Sequence, residues 1–418
     1  MQGRQTGYIV AALIAGILAG GLCRYGLTDP AALKAAIGYF GIVTDLFLRL
    51  IKMVIAPLVL STLVAGIGQM GHTATVGRVA LRAMTWFVGA SMVSLLLGLA
   101  MVNLLQPGTD LNLPLPAADG PAAVQAAALN LKDFITHIVP RSVFEAMAQN
   151  EILQVVIFSL FFGVAVASLG ERGRPVAVLA EMVAQVMLKV TGYVMRAAPL
   201  AIFAAVAAVV AAQGAGILKV YGFFIGGFYA SLIILWAVLF GACFLVIGRR
   251  AGGLIRAVRV PVLLAFSTAS SEAAYPKTLE LLERFGVSNR VAAFVLPLGY
   301  SFNLDGSMMY CTFATLFIAQ AYGIELSAGQ QITMLLLLMV TSKGMAGVPR
   351  ASLVVIAATL NSFHIPEAGL LLILGIDQFL DMGRSATNVV GNSVAAVVVA
   401  RWEGELGPAT GEALAAAA

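Results

Sequence analysis

Several apolar runs in this chain are long enough to cross about 30 Å of hydrocarbon, which restricts them to helices because no other open structure satisfies its own backbone there. The runs are 8–22, 40–67, 84–105, 152–169, 197–212 and 220–247. Asp45, Arg49 and Lys52 interrupt the second and read as scaffold or subunit-interface charges, not as ligand-site residues. Only 11% of the 418 residues are charged, against about a quarter in a soluble domain, so the chain lacks the polar surface to cover itself in water. The first run lacks a small-residue cleavage site and is followed by further spans, so it reads as a retained helix. Beyond Arg259 the apolar stretches are broken by Ser, Gly, Pro, Asn and Asp.

Basic residues follow the second span (Arg78, Arg82), the fourth (Arg172, Arg174) and the sixth (Arg249, Arg250, Arg256, Arg259). The loop after the third span holds Asp110 and Asp119 and no basic residue before Lys132. The positive-inside rule therefore expects a cytoplasmic N-terminus. The net charge of +5 lies beside membrane spans and implies no nucleic-acid partner. Cys23, Cys243 and Cys311 are too far apart for a metal-ligand spacing and read as packing residues. His72, His137 and His364 are equally scattered, and no Gly-rich nucleotide loop is present. No metal and no cofactor are implied.

Near the C-terminus, Asp377, Asp381, Arg384, Asn388 and Asn392 follow one another at four, three, four and four residues, one stripe at helical periodicity. Ionisable groups at bilayer depth face a cavity, a partner or a substrate path. A structural network between helices is the plainer reading of any one of them. A whole stripe with both charge signs favours a ligand or ion site, which makes the chain a transporter candidate.

Two related segments precede that stripe. Thr268 stands eight residues before Pro276, and Thr341 eight before Pro349, each amid small side chains. Polar interruptions follow at Asn303–Asp305–Gly306 and at Asp377. The repeat suggests two re-entrant hairpins, each followed by a spanning helix, in an inverted repeat whose prolines end the first arm or begin the second. Two ordinary broken helices are the competing description.

The motifs STASSEAAYP, NLDGS after GYSF, TSKGMAGVP and DMGRSATNVVGN occur in that order, and through them nearly the whole chain resembles the glutamate transporter family, the dicarboxylate/amino acid:cation symporters. The resemblance implies an all-α polytopic membrane protein with eight transmembrane helices, two hairpins and an elevator mechanism. It also implies a homotrimer in a bacterial inner membrane with both termini cytoplasmic, surrounded by lipid. Residues 1–106 would hold helices 1–3, 107–250 an extracellular loop and helices 4–6, and 251–418 the transport core. Helices 1, 2, 4 and 5 would form the scaffold; helices 3 and 6 would move with the core.

By the same resemblance Arg384 clamps the distal carboxylate of an acidic substrate with its planar fork, Asp381 takes the substrate ammonium, and Asn388 holds the main-chain end. Ser270, Ser271, Ser307, Gly347 and Val348 complete the implied substrate set. Glu272, Gly299, Asn303, Asp305, Asp377 and Asn392 form the implied cation-coupling set.

Departures from the sodium-coupled pattern bear on the ion. Asn392 stands where those members have an aspartate, and Phe87, Ala90 and Ser91 stand where they carry a tyrosine and further hydroxyls. Lys343 and Met345 occupy the second tip, and an ammonium there repels sodium. Proton coupling is the expectation, with Glu272, Asp305 or Asp377 as carrier, although Glu272 also fits a solvated tip residue. Met308 and Met309 read as packing.

The expected function is proton-driven import of L-glutamate or L-aspartate. C4-dicarboxylate uptake is the near alternative, as is sodium coupling. Asp381 favours an amino acid, because dicarboxylate carriers of the family usually lack an acid there. An intramembrane Ser–Lys enzyme lacks a local nucleophile arrangement, and a plain ion channel does not need a fixed arginine in a substrate-sized site.

Overall fold

The computed structural model describes residues 2–69, 73–109, 136, 139–213, 216–342, 351–374 and 376–408. Outside them lie the second hairpin tip with Lys343, Met345, Gly347, Val348 and Pro349, the loop bearing Asp110, Asp119 and Lys132, and His72 and His137. Among the described residues the regular structure is helical, with one isolated antiparallel bridge between Val287 and Leu406.

The helices are α1 (Gln2–Gly26), α2 (Pro30–Gln69), α3 (Thr73–Leu105), α4 (Val143–Gln149), α5 (Ile152–Ser168), α6 (Arg174–Val194), α7 (Ala198–Gln213) and α8 (Gly216–Ile247). There follow α9 (Arg250–Thr268), α10 (Ser271–Phe285), α11 (Asn289–Phe302), α12 (Asp305–Ala321), α13 (Ala328–Thr341), α14 (Ala351–Ser362), α15 (Leu370–Leu374) and α16 (Asp377–Glu403). Five stretches among them are long and apolar enough to cross a membrane: Pro30–Ile67, Gly77–Leu105, Arg174–Val194, Tyr221–Ile247 and Arg250–Thr268. Hydroxyls within these helices are hidden by bonding back one turn. Thr62 donates to the Leu58 carbonyl, Ser159 to Val155, Ser231 to Gly227 and Thr359 to Val355.

Packing divides the helices into two sets. α1 lies on α7, and α2 packs on α5, α6 and α7. α3 lies on α12, while α16 packs against α3, α8, α9, α10, α11 and α12 and is the centre of the second set. The sets meet chiefly where α2 crosses α10 and α11. Almost every residue of α16 from Met382 to Ala400 is buried, so its stripe of polar residues is held within protein.

α9 and α10 run back along one another as a helical hairpin. Its turn differs from the expected proline punctuation. Ala269 adopts a left-handed conformation (φ 49°), and Ser270 caps α10 by accepting from the Ala273 amide at 3.2 Å. Pro276 lies inside α10 instead of at its start. A proline there cannot donate to the Glu272 carbonyl one turn back, so it loosens the tip without making the turn. α13 and α14 touch as the two arms of a second such pair, and α11 breaks at Asn303–Leu304 before α12 resumes.

The segment following α16 fastens the base of the first hairpin. Ser288 donates its amide to the Glu405 carbonyl (3.1 Å), Gly407 donates to Gly286 (2.8 Å), and Arg250 Nη2 donates to the carbonyls of Gly407 (2.9 Å) and Phe285 (3.2 Å). Arg78 and Arg82 of α3 reach Glu403 at 3.0 and 2.8 Å. Arg290 pairs with Glu405 and holds its carboxyl below the usual carboxylate range. A depressed pKa stabilises the fold above the unfolded value, and that contribution is lost as the pH falls through the folded one. Glu405→Gln should therefore lower the melting temperature at neutral pH, with the deficit shrinking below about pH 4. Melting curves of both proteins in detergent across that range check this.

Candidate functional site

The stripe read from the sequence is continuous in space, and α16 carries all five members. Arg384 is 5% exposed. Its Nε donates to Asp381 Oδ1 at 2.7 Å, and its Nη1 lies 3.9 Å from Asp377 Oδ1. Ser385 donates to the same Asp381 oxygen at 3.1 Å. Tyr310 of α12 completes the group, donating its hydroxyl to Asp377 Oδ1 at 2.8 Å while its ring lies 4.9 Å from the guanidinium carbon. Arg384 Nη1 is buried with no hydrogen-bond partner among the described residues. A buried cationic N–H without an acceptor is costly, so an incoming anion would gain from reaching it.

One turn further on, Asn388 stitches α16 to the start of α12. Its Oδ1 accepts from the amides of Gly306 (2.9 Å) and Ser307 (3.3 Å), and its Nδ2 donates to Ser307 Oγ at 3.2 Å. The break between α11 and α12 frees those amides, because the first turn of a helix has no internal acceptors for them. Ser307 and Asn388 are thus already engaged with each other.

Beyond them is a fully buried knot of amides and a carboxylate. Asn303 Nδ2 donates to Asp305 Oδ2 (3.1 Å) and to Asn392 Oδ1 (3.2 Å), and Ser94 of α3 donates to Asp305 Oδ1 at 3.4 Å. Asn303 Oδ1 and Asn392 Nδ2 are buried without a hydrogen-bond partner among the described residues. A Cβ at Gly299 would collide with the Asn392 amide and touch the Phe87 ring, which α3 brings to the edge of this knot. Ala90 and Ser91 lie buried on the same helix.

The first hairpin contributes less directly. Ser270 Oγ is occupied as a helix cap, and Ser271 is half-buried as the first residue of α10. Glu272 is also half-buried and lies within electrostatic reach of Lys52 on α2 and of Glu151 before α5. Asp45, Arg49 and Lys52 are exposed along α2. Gly347 and Val348 are outside the described residues.

Tyr310, Ser94 and Gly391 were not legible as site residues. Tyr310 and Ser94 sit in apolar stretches without a motif, and Gly391 looks like a packing residue. The structure gives Gly391 a definite task, because a Cβ there would overlap Asp305 Oδ2. Cys311 and Met308–Met309 are buried beside the site, as packing residues would be.

Buried charges of both signs at the centre of an apolar helical bundle are the kind of site a membrane transporter builds. The chain belongs to the sodium:dicarboxylate symporter family, whose model matches residues 6–402, and is therefore a transporter and not an enzyme. It is 38% identical over 402 residues to a proton/sodium-glutamate symport protein of Geobacillus stearothermophilus, covering 95% of this chain and 94% of that one. The corresponding protein of Bacillus subtilis is 37% identical over 409 residues, 97% and 94% of the two chains. A C4-dicarboxylate transport protein of Stenotrophomonas maltophilia is 41% identical over 368 residues, 87% and 82% of the two.

Gly391→Ala should push the Asp305 carboxylate out of the knot and cut transport by at least about tenfold, the equivalent of a modest overpacking energy. Initial uptake rates in proteoliposomes, normalised to reconstituted protein with an unchanged gel-filtration profile, measure it.

Proposed function

We propose that this protein imports acidic amino acids, L-glutamate or L-aspartate, by proton symport. The observation that carries the reading is the half-satisfied guanidinium. Arg384 is buried, held by Asp381 through Nε, and its Nη1, 3.9 Å from Asp377, has no hydrogen-bond partner among the described residues, so a substrate carboxylate can accept from it. Both bonds to Asp381 fall on Oδ1, which leaves Oδ2 for an ammonium. Asn388, with Ser307, would meet the main-chain end, and the tips around Ser270, Ser271, Gly347 and Val348 would close over the ligand.

Three carboxylates (Asp305, Asp377, Asp381) against one guanidinium leave the buried site net negative, which suits a coupling cation. Asn392 and the Phe87 ring lower the oxygen count where a bare sodium ion would need ligands, so a proton is the preferred ion. Glu272, Asp305 and Asp377 are its candidate carriers, within a set that includes Gly299, Asn303 and Asn392. The architecture in this reading has eight spanning helices and two re-entrant hairpins. α1, α2 and α4–α7 form a trimeric scaffold, and α3 with α8–α16 moves as an elevator in a bacterial inner membrane with both termini cytoplasmic.

A second reading, C4-dicarboxylate symport, is favoured by the 41% identity to the C4-dicarboxylate transport protein of Stenotrophomonas maltophilia. Uptake of aspartate, glutamate and succinate under separately imposed proton and sodium gradients distinguishes the two. An inward proton gradient should concentrate aspartate in sodium-free vesicles, and a protonophore should collapse the accumulation. A requirement for sodium at constant pH, or accumulation of succinate without aspartate, overturns the proposal.

Arg384→Ala should abolish acidic-substrate uptake, a loss above about 3 kcal/mol, because a buried carboxylate is left unpaired. Asp381→Ser should weaken aspartate far more than succinate in competition assays. Among Glu272→Gln, Asp305→Asn and Asp377→Asn, neutralising the carrier should preserve substrate exchange and remove net accumulation, read from counterflow and uptake on the same vesicles.

A further inference from the structure

One face of α9 holds charge that no described residue neutralises. Arg249, Gly252, Arg256, Arg259, Leu263 and Phe266 follow at three, four, three, four and three residues, a single stripe running from just before the helix into its last turns. The three arginines are exposed, and none has an ion-pair or hydrogen-bond partner among the described residues. Their neighbour Arg250 behaves oppositely. It points inward, donates to the Phe285 and Gly407 carbonyls and stacks over the Phe285 ring at 5.3 Å.

The stripe changes character along its length. It is basic through Arg259 and apolar and half-buried at Leu263 and Phe266, with Ile255 on its flank 48% exposed. From Arg249 to Arg259 is about 15 Å along the axis, and an arginine side chain can reach several ångströms back toward water. An exposed cationic stretch that gives way to a half-buried apolar one on the same helix face matches a phospholipid in cross-section, headgroup then acyl chain. Isolated arginines facing hydrocarbon would be expensive, and a phosphate diester offers them paired acceptors.

We propose that Arg249, Arg256 and Arg259 bind the headgroup of an anionic phospholipid, with Ile255 beside that headgroup and the acyl chains continuing past Leu263. The lipid holds the first arm of the α9–α10 hairpin at the membrane interface in the conformation described here. This surface is separate from the Arg384 site, so its test does not depend on the transported substrate.

Ile255→Trp places an indole beside the arginines at an exposed position. The protein is reconstituted into phosphatidylcholine nanodiscs containing a minority of either brominated phosphatidylglycerol or brominated phosphatidylcholine. The same discs with the parent chain subtract the signal of its own tryptophans. Brominated phosphatidylglycerol should quench the introduced indole more strongly, each arginine contributing about a fivefold preference. Adding Arg256→Gln and Arg259→Gln should reduce quenching to the phosphatidylcholine level without changing the melting temperature, and Arg256→Lys with Arg259→Lys should keep most of the preference. If the double glutamine variant does not melt cooperatively, each single variant should show a partial loss. Equal quenching by both lipids, no quenching by either, or an unaltered preference in the glutamine variants overturns the proposal. Loss of the preference on adding inorganic phosphate at constant ionic strength assigns the face to a soluble anion and overturns it as well.

Discussion

A guanidinium keeps its proton in any protein interior, so Arg384 obliges the surrounding structure to answer a permanent buried charge. Asp381 meets it through Nε, Asp377 stands 3.9 Å from Nη1, and the Tyr310 ring covers its face. Each of these partners then needs support. Tyr310 donates to Asp377, and Ser385 donates to Asp381. The chain of obligations extends from α16 into α12, and it sets how close and in what register those helices lie. Nη1 keeps no hydrogen-bond partner among the described residues, and under the proposed function that is where a substrate carboxylate would be accepted.

The second consequence concerns broken helices. A continuous helix would consume the amides of Gly306 and Ser307 internally. Because α11 stops at Phe302 and α12 begins at Asp305, those amides are available to Asn388. The same break brings Asn303 and Asp305 to Asn392 at the α16 end of the knot. Irregular backbone is costly in a bilayer unless protein satisfies it, and here α16 does so with side-chain amides. The prolines act in the same direction, since Pro276 and Pro297 each remove one helical donor near the site.

Much of the site was legible because helical periodicity survives folding unchanged. Asp377, Asp381, Arg384, Asn388 and Asn392 lie on one helix, so their spacing alone predicts a common face. The hairpin turn was less legible. Pro276 looked like its pivot, yet Ala269 makes the turn in a left-handed conformation and the extended Ser270 caps the helix that follows. Tyr310 could not be read at all. It lies in an apolar stretch where an aromatic residue ordinarily means packing, and only its position across from Arg384 gives it a polar role. Phe87 was recognised as a missing hydroxyl, whereas its ring contact with the Asn392 region depends on how α3 crosses α11 and α16.

The sequence by itself determined that the chain is helical and membrane-bound, that a charged stripe faces inward, and which family it belongs to. These follow from local quantities: the apolar length needed to cross hydrocarbon, the period of a helix and the order of four motifs. Tertiary structure alone decided which charges meet. Asp381 rather than Asp377 takes the short bond to Arg384, Tyr310 joins them from another helix, and Arg250 turns inward while Arg249, Arg256 and Arg259 stay exposed. Such pairings depend on helix crossing angles and side-chain rotamers, and residue spacing along one helix carries no information about either.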